Sequence, residues 1–111
     1  MEISFATRKM QKLCNSEKDM RKGLDTRNAE RLKQRLAEFK AADTLDAISR
    51  LPPVRCHELK QDRKGQLAVD LVQPRRLIFK PDHNPVPKDK GGGLNWEGVT
   101  RVLVIEIVDY H

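Results

Sequence analysis

The stretch Leu67-Ala68-Val69-Asp70-Leu71-Val72-Gln73-Pro74-Arg75-Arg76-Leu77-Ile78-Phe79-Lys80 decides the fold. Leu67, Val69 and Leu71 alternate with Ala68 and Asp70, which is the period of a strand with one buried face. Gln73-Pro74 makes a turn, and Arg76 to Lys80 returns as a second strand carrying Leu77, Ile78 and Phe79. A connection this short implies antiparallel pairing.

Upstream, His57 to Lys60 reads as a further short strand. It joins the first through the turn Asp62-Arg63-Lys64-Gly65, where Gly65 can take positive φ. Pro52-Pro53 marks the change from helical to strand period, stopping a short helical turn over 44–49 that Asp43 can cap. Ala29, Leu32, Leu36 and Phe39 recur at spacings of three and four, so they form the buried stripe of a helix capped by Asp25 or Thr26. Gly23 breaks an earlier helix, expected from Arg8 to about Met20, whose apolar face holds Met10, Leu13 and Cys14. Ile3 and Phe5 alternate with polar neighbours and predict an N-terminal strand.

Downstream, residues 81–98 hold three prolines and Gly91-Gly92-Gly93, a composition that predicts a long mobile loop, with Trp96 able to anchor it. Arg101 to Val108 is the most apolar strand and is expected in a central, covered position, with Leu103, Ile105, Ile107 and Asp109 on one face. The class is α+β: an N-terminal strand and two helices packed on a mainly antiparallel sheet, in a single domain spanning 1–111.

The chain carries a formal charge of +6, from 22 Lys and Arg against 16 Asp and Glu. Basic residues Arg55, Lys60, Arg63, Lys64, Arg75, Arg76 and Lys80 outnumber Glu58, Asp62 and Asp70 between 55 and 80, so one region has a field suited to phosphate. The basic face of the Ala29–Phe39 helix fits simple solvation, RNA contact or a partner protein. The start Met1-Glu2-Ile3-Ser4-Phe5 lacks a secretory pattern, and no run is long enough to cross a bilayer, so a cytoplasmic location without membrane contact is expected. Cys14 and Cys56 fit two buried free thiols or one disulfide, the first suiting a reducing compartment. The glycine triplet has no Gly-Lys-Ser/Thr ending, so no nucleotide cofactor is implied, and the histidines show no metal-ligand spacing.

Two histidines, a tyrosine and clustered cations are the parts for metal-free RNA cleavage. That reaction uses the 2'-hydroxyl as nucleophile and needs a base, an acid and cations for the charge that develops on phosphate. His57 and His111 suit proton transfer, Tyr110 can position a phosphate or relay a proton, and Lys60 and Arg76 suit charge stabilisation. Arg63 and Lys64 read equally as substrate contacts or as an exposed basic turn.

Three strings, His57-Glu58-Leu59-Lys60-Gln61-Asp62-Arg63-Lys64-Gly65-Gln66, Arg76-Leu77-Ile78-Phe79 and Glu106-Ile107-Val108-Asp109-Tyr110-His111, resemble in order the HigB-like branch of the RelE toxin superfamily. The resemblance implies a ribosome-dependent mRNA endonuclease held inactive by an antitoxin, HigA-like and often bearing a helix-turn-helix. It places catalysis on His57, Lys60, Arg76, Tyr110 and His111, with Asp109 in the same terminal motif; RNA contact is expected at Arg63, Lys64, Arg75 and Asp109. Gln61 stands where the motif usually has Gly, Arg75 stands where relatives often have Tyr or Trp, and the loop at 81–98 is longer than in compact members. The competing readings are a non-catalytic RNA- or ribosome-binding module and a purely antitoxin-binding component on the same fold.

Overall fold

A computed structural model describes residues 1–110. Strand β1 (Glu2–Phe5) leads into helices α1 (Arg8–Asn15), α2 (Glu17–Gly23) and α3 (Thr26–Ala41). Strands β2 (His57–Glu58), β3 (Leu67–Asp70), β4 (Arg75–Pro81) and β5 (Arg101–Asp109) follow. They form one sheet in the order β1-β5-β4-β3-β2, antiparallel except for the parallel β1–β5 pair. The α+β class and mainly antiparallel sheet therefore stand as the sequence predicts. The two expected helices are three.

The extra break falls at Ser16, where the sequence reading ran one helix to Met20. Ser16 is extended, and its hydroxyl accepts the Asp19 N–H at 3.2 Å, so it caps a new helix. Ser16-Glu17-Lys18-Asp19 carries that signal in its side chains, a cap followed by acids in the first turn. Asp25 caps α3 by accepting the Asn28 N–H at 2.9 Å. The α3 stripe of Ala29, Leu32, Leu36 and Phe39 is buried against the sheet. Phe39 meets Phe79 with ring centroids 4.9 Å apart.

Arg35 shares that buried side with no exposure at all. Its Nε donates to the Asp70 carbonyl at 2.8 Å, one Nη meets Glu38 at 3.0 Å, and the other donates to the Pro53 carbonyl at 3.3 Å. A buried guanidinium is tolerable when its donors are satisfied in this way. It ties α3 to β3 and to the segment before β2.

The sequence pattern of β5 misleads at one point. β4 pairs with it as Ile78↔Glu106 and then Phe79↔Val104, so Ile105 is an extra, bulged residue. One extra residue reverses the facing of all that follow. Val102 and Val104 face the helices and so does Ile107, whereas Leu103 pairs with Lys80 on the opposite side. Leu103, Ile105 and Ile107 thus do not share a face. The middle strand is β4; β5 lies between β4 and β1, with Leu103, Ile105, Ile107 and Val108 only half-buried.

Residues 81–98 follow a defined path. Lys88 and Leu94 form a bridge, and Asp89 Oδ1 accepts the N–H groups of Gly91 and Gly93, each at 2.9 Å. His83 Nε2 accepts the N–H groups of Thr100 and Arg101, at 3.1 and 3.3 Å. Trp96 is buried, donates from Nε1 to Glu58 at 3.2 Å, and lies under the Arg50 guanidinium at 3.8 Å. Among the described residues no helix is long and apolar enough to cross a membrane.

Phe39→Ala would open a cavity under β4 and is expected to destabilise the domain by about 3–5 kcal/mol, measured by urea unfolding.

Candidate functional site

Strand pairing assigns the side chains to two faces. Leu67, Val69, Leu77, Phe79, Val104 and Ile107 meet the helices. The opposite face presents His57, Ala68, Ile78 and Glu106 in one row and Asp70, Arg76 and Val108 in the next. Tyr110 continues past β5, its N–H donating to the Pro74 carbonyl at 2.8 Å.

Asp70 organises this second face. The sequence expects one buried face on β3, yet all four of its residues are buried, Asp70 included. Its carboxylate accepts from Arg55 Nε at 2.6 Å and from Gln73 Nε2 at 2.8 Å, and Arg76 Nε lies 3.4 Å away. The last approach is within ion-pairing distance but not aligned for donation, so Arg76 Nε is buried without a hydrogen-bond acceptor. The Arg76 guanidinium instead stacks on the Tyr110 ring, 4.3 Å from its centroid. The Asp70 carboxylate raises the Arg55 pKa, chiefly through that hydrogen bond. A guanidinium stacked on a phenol, with its Nε enclosed and its outer part exposed, has the chemistry to meet an oxyanion.

His57 stands at the other end of the face. Its Nδ1 lies 2.7 Å from the Arg55 carbonyl, which can only accept. That contact makes Nδ1 the donor and leaves Nε2 of the neutral ring as proton acceptor. Arg55 has φ of +49°, a left-handed conformation uncommon outside glycine, and it turns the carbonyl and side chain of one residue toward two members of the face. Between the two ends, Arg63 binds Gln66 at 3.0 Å and crosses to Glu106 at 3.1 Å. The bridge spans the region of Ala68 and Ile78, both fully buried although they lie away from the helices.

The predicted site residues divide accordingly. His57, Arg63, Arg76 and Tyr110 share the face. Lys60 and Lys64 are exposed in the connection between β2 and β3. Arg75 and Asp109 lie on the helix side, paired with each other at 3.2 Å. His57 is three strands from β5, about 14 Å across the sheet. His111 lies outside the described residues. Sequence reasoning missed Arg55, Asp70 and Glu106 as members of this face. A carboxylate set in an apolar strand directly after Val69 was the available signal, because a buried acid demands cations.

Burial pushes the Cys56 thiol, beside His57, up to about 12, and that of Cys14 up to about 11. Both are free, and neither supplies a thiolate at neutral pH.

On the helix side, α1, α2 and β5 enclose a groove of about 990 Å³. Its apolar members include Met10, Leu13, Leu24 and Ile107, and Lys9, Lys12 and Lys22 stand among them.

No protein-family model matches the chain, and no curated protein matches it. Among solved structures it is similar to a YoeB/ParE toxin from Agrobacterium tumefaciens, with a TM-score of 0.58, 14% identity and full coverage of both chains. The chain has the fold of that toxin. The fold subtends the two faces described above, one with a cationic row and one with a groove.

Two outcomes check the electrostatic reading. Asp70→Asn keeps the shape but leaves two cations without their counter-charge. It should destabilise by roughly 2 kcal/mol in urea unfolding, less than the ~3–5 of a fully buried pair because Arg55 reaches water. The thiols of the folded protein should be alkylated at pH 8 at least about tenfold more slowly than those of the urea-unfolded chain.

Proposed function

We propose that the chain is the toxin of a type II toxin–antitoxin pair, a ribosome-dependent mRNA endonuclease that needs no metal and uses the RNA 2'-hydroxyl as nucleophile. The observation that carries this reading is the Arg76–Tyr110 stack, held beside the Asp70–Arg55 pair on the sheet face away from the helices. The toxin fold supports it.

In this reading Arg76 neutralises the phosphate as negative charge builds on it, and Tyr110 orients a phosphate or base against the sheet. His57, with Nε2 as acceptor, removes a proton from the 2'-hydroxyl or passes one to the leaving 5'-oxygen. His111 is the second proton-transfer group. Lys60, Arg63 and Lys64 hold the flanking strand, while Arg75 and Asp109, paired with each other on the helix side, stand at the rim. The alternative RNA-binding module without chemistry is favoured by one observation, the three-strand gap between His57 and Tyr110. The expected partner is a HigA-like antitoxin. The groove beside α1 and α2, apolar within and rimmed by Lys9, Lys12, Lys22 and Arg75 together with Asp19, Glu106 and Asp109, suits an amphipathic segment of such a protein.

Arg76→Ala should lower ribosome-dependent cleavage of a defined mRNA about 100-fold or more with little change in circular dichroism. Removal of residues 110–111 should abolish it. Retained cutting in the folded truncation would refute the enzyme reading, and tight RNA binding without any cutting by the intact chain would favour the binding module.

A further inference from the structure

We propose that the cleft between α3 and the segment preceding β2 is a second phosphate-binding site, carrying the single-stranded RNA backbone onward from the Arg76–Tyr110 pair. The proposal rests on the RNA reading of that face. The cleft encloses about 810 Å³ and is lined by Arg27, Arg31, Pro53, Arg55, Asp70 and Gln73 among others.

Its charge follows from the helix. Arg27, Arg31 and Arg35 lie four residues apart, so they form one stripe along α3. The innermost, Arg35, is committed to Glu38 and to the carbonyls of Asp70 and Pro53. Arg27 is exposed and Arg31 half-buried, and among the described residues neither has a carboxylate within ion-pairing distance. The neighbouring acids are engaged elsewhere: Asp25 caps α3 through Asn28, Glu30 lies toward Lys33, and Glu38 binds Arg35.

Asp70 is the acid in the cleft lining, and Arg55, Gln73 and Arg76 already share it. The cleft therefore keeps an excess of guanidinium charge after internal pairing. Arg55 stays 40% exposed, with Nε and Nη2 on Asp70.

The position gives the ligand class. Arg55 approaches Asp70 from the cleft and Arg76 approaches the same carboxylate from the sheet face, so the two cationic surfaces meet at one residue. Arg27 and Arg31 are about 6 Å apart along the helix axis, close to the span between consecutive phosphates of an extended strand. A chain of phosphates lying across Tyr110 and Arg76 continues over Arg55 to this pair. Guanidinium forks suit phosphate oxygens, and the site needs no base-specific contact.

The test is fluorescence anisotropy of a labelled single-stranded RNA of about 12 nucleotides across a salt series. The proteins are the full wild-type chain, Arg27→Ala/Arg31→Ala, Arg27→Lys/Arg31→Lys and Arg76→Ala. The alanine pair should bind about tenfold more weakly, with the slope of log affinity against log salt reduced by about 1.4, which is ~0.7 for each lost phosphate contact. The lysine pair should restore most of that slope, which a merely structural loss would not do. An unchanged slope in the alanine pair, with Arg76→Ala still weakening binding, would overturn the cleft and leave the sheet site standing. If Arg76→Ala has no effect either, both fail. Cleft-dependent binding of polyglutamate but not of RNA would also overturn the proposal, assigning the cleft to an acidic protein.

Discussion

The carboxylate of Asp70, sunk in a strand that is otherwise apolar, constrains the rest of the molecule. Transfer of an isolated carboxylate into such a place is prohibitively costly, so cations and donors must be brought to it. Arg55 comes from the left-handed turn before β2, Gln73 from the β3–β4 turn, and Arg76 from β4. The backbone of the same residue is committed too. Its N–H donates to the Val54 carbonyl, and its carbonyl accepts from Arg35 of α3. Helix, sheet and connecting segment are locked together at one position. The side chains of the cationic face are aimed as a consequence of that lock.

Asp70 also leaves one of its cations incompletely satisfied. Two arginines converge on one carboxylate, and only Arg55 binds it with good geometry. Arg76 is left with a buried unpaired donor and an aromatic platform. That Nε is enclosed, so a ligand oxygen could meet only the exposed outer part of the guanidinium, which the stack on Tyr110 holds in place. The opposite surface of the sheet differs in chemistry, since its groove is apolar with lysines about it. A cationic face and a face bearing an apolar groove are thus separated by the thickness of the sheet.

Much of this architecture is legible in the residues. The α3 stripe, the paired strands on either side of Gln73-Pro74 and the anchoring Trp96 follow from period, turn chemistry and size. What escapes has local physical causes. Ser16 splits a helix because one hydroxyl outcompetes helix continuation. The bulge at Ile105 reverses facing with no change in composition, so Leu103 turns away from the face of Ile107. Arg75 and Asp109 lie opposite Arg76 and Tyr110 because successive residues of a strand face opposite sides. Arg55 escapes because its role depends on a left-handed backbone that no side-chain pattern announces.

The central claim is that the Arg76–Tyr110 face directs the 2'-hydroxyl of mRNA against its own phosphodiester. The most direct measurement is the chemistry of the ends left on mRNA after the chain is supplied to translating ribosomes. The account predicts a 5'-hydroxyl on the downstream fragment and a 2',3'-cyclic phosphate, or the 3'-phosphate derived from it, on the upstream one. It also predicts no cut where the 2'-oxygen at the cleavage position is methylated. A 5'-phosphate with a 3'-hydroxyl, or cleavage that survives the methylation, would contradict it.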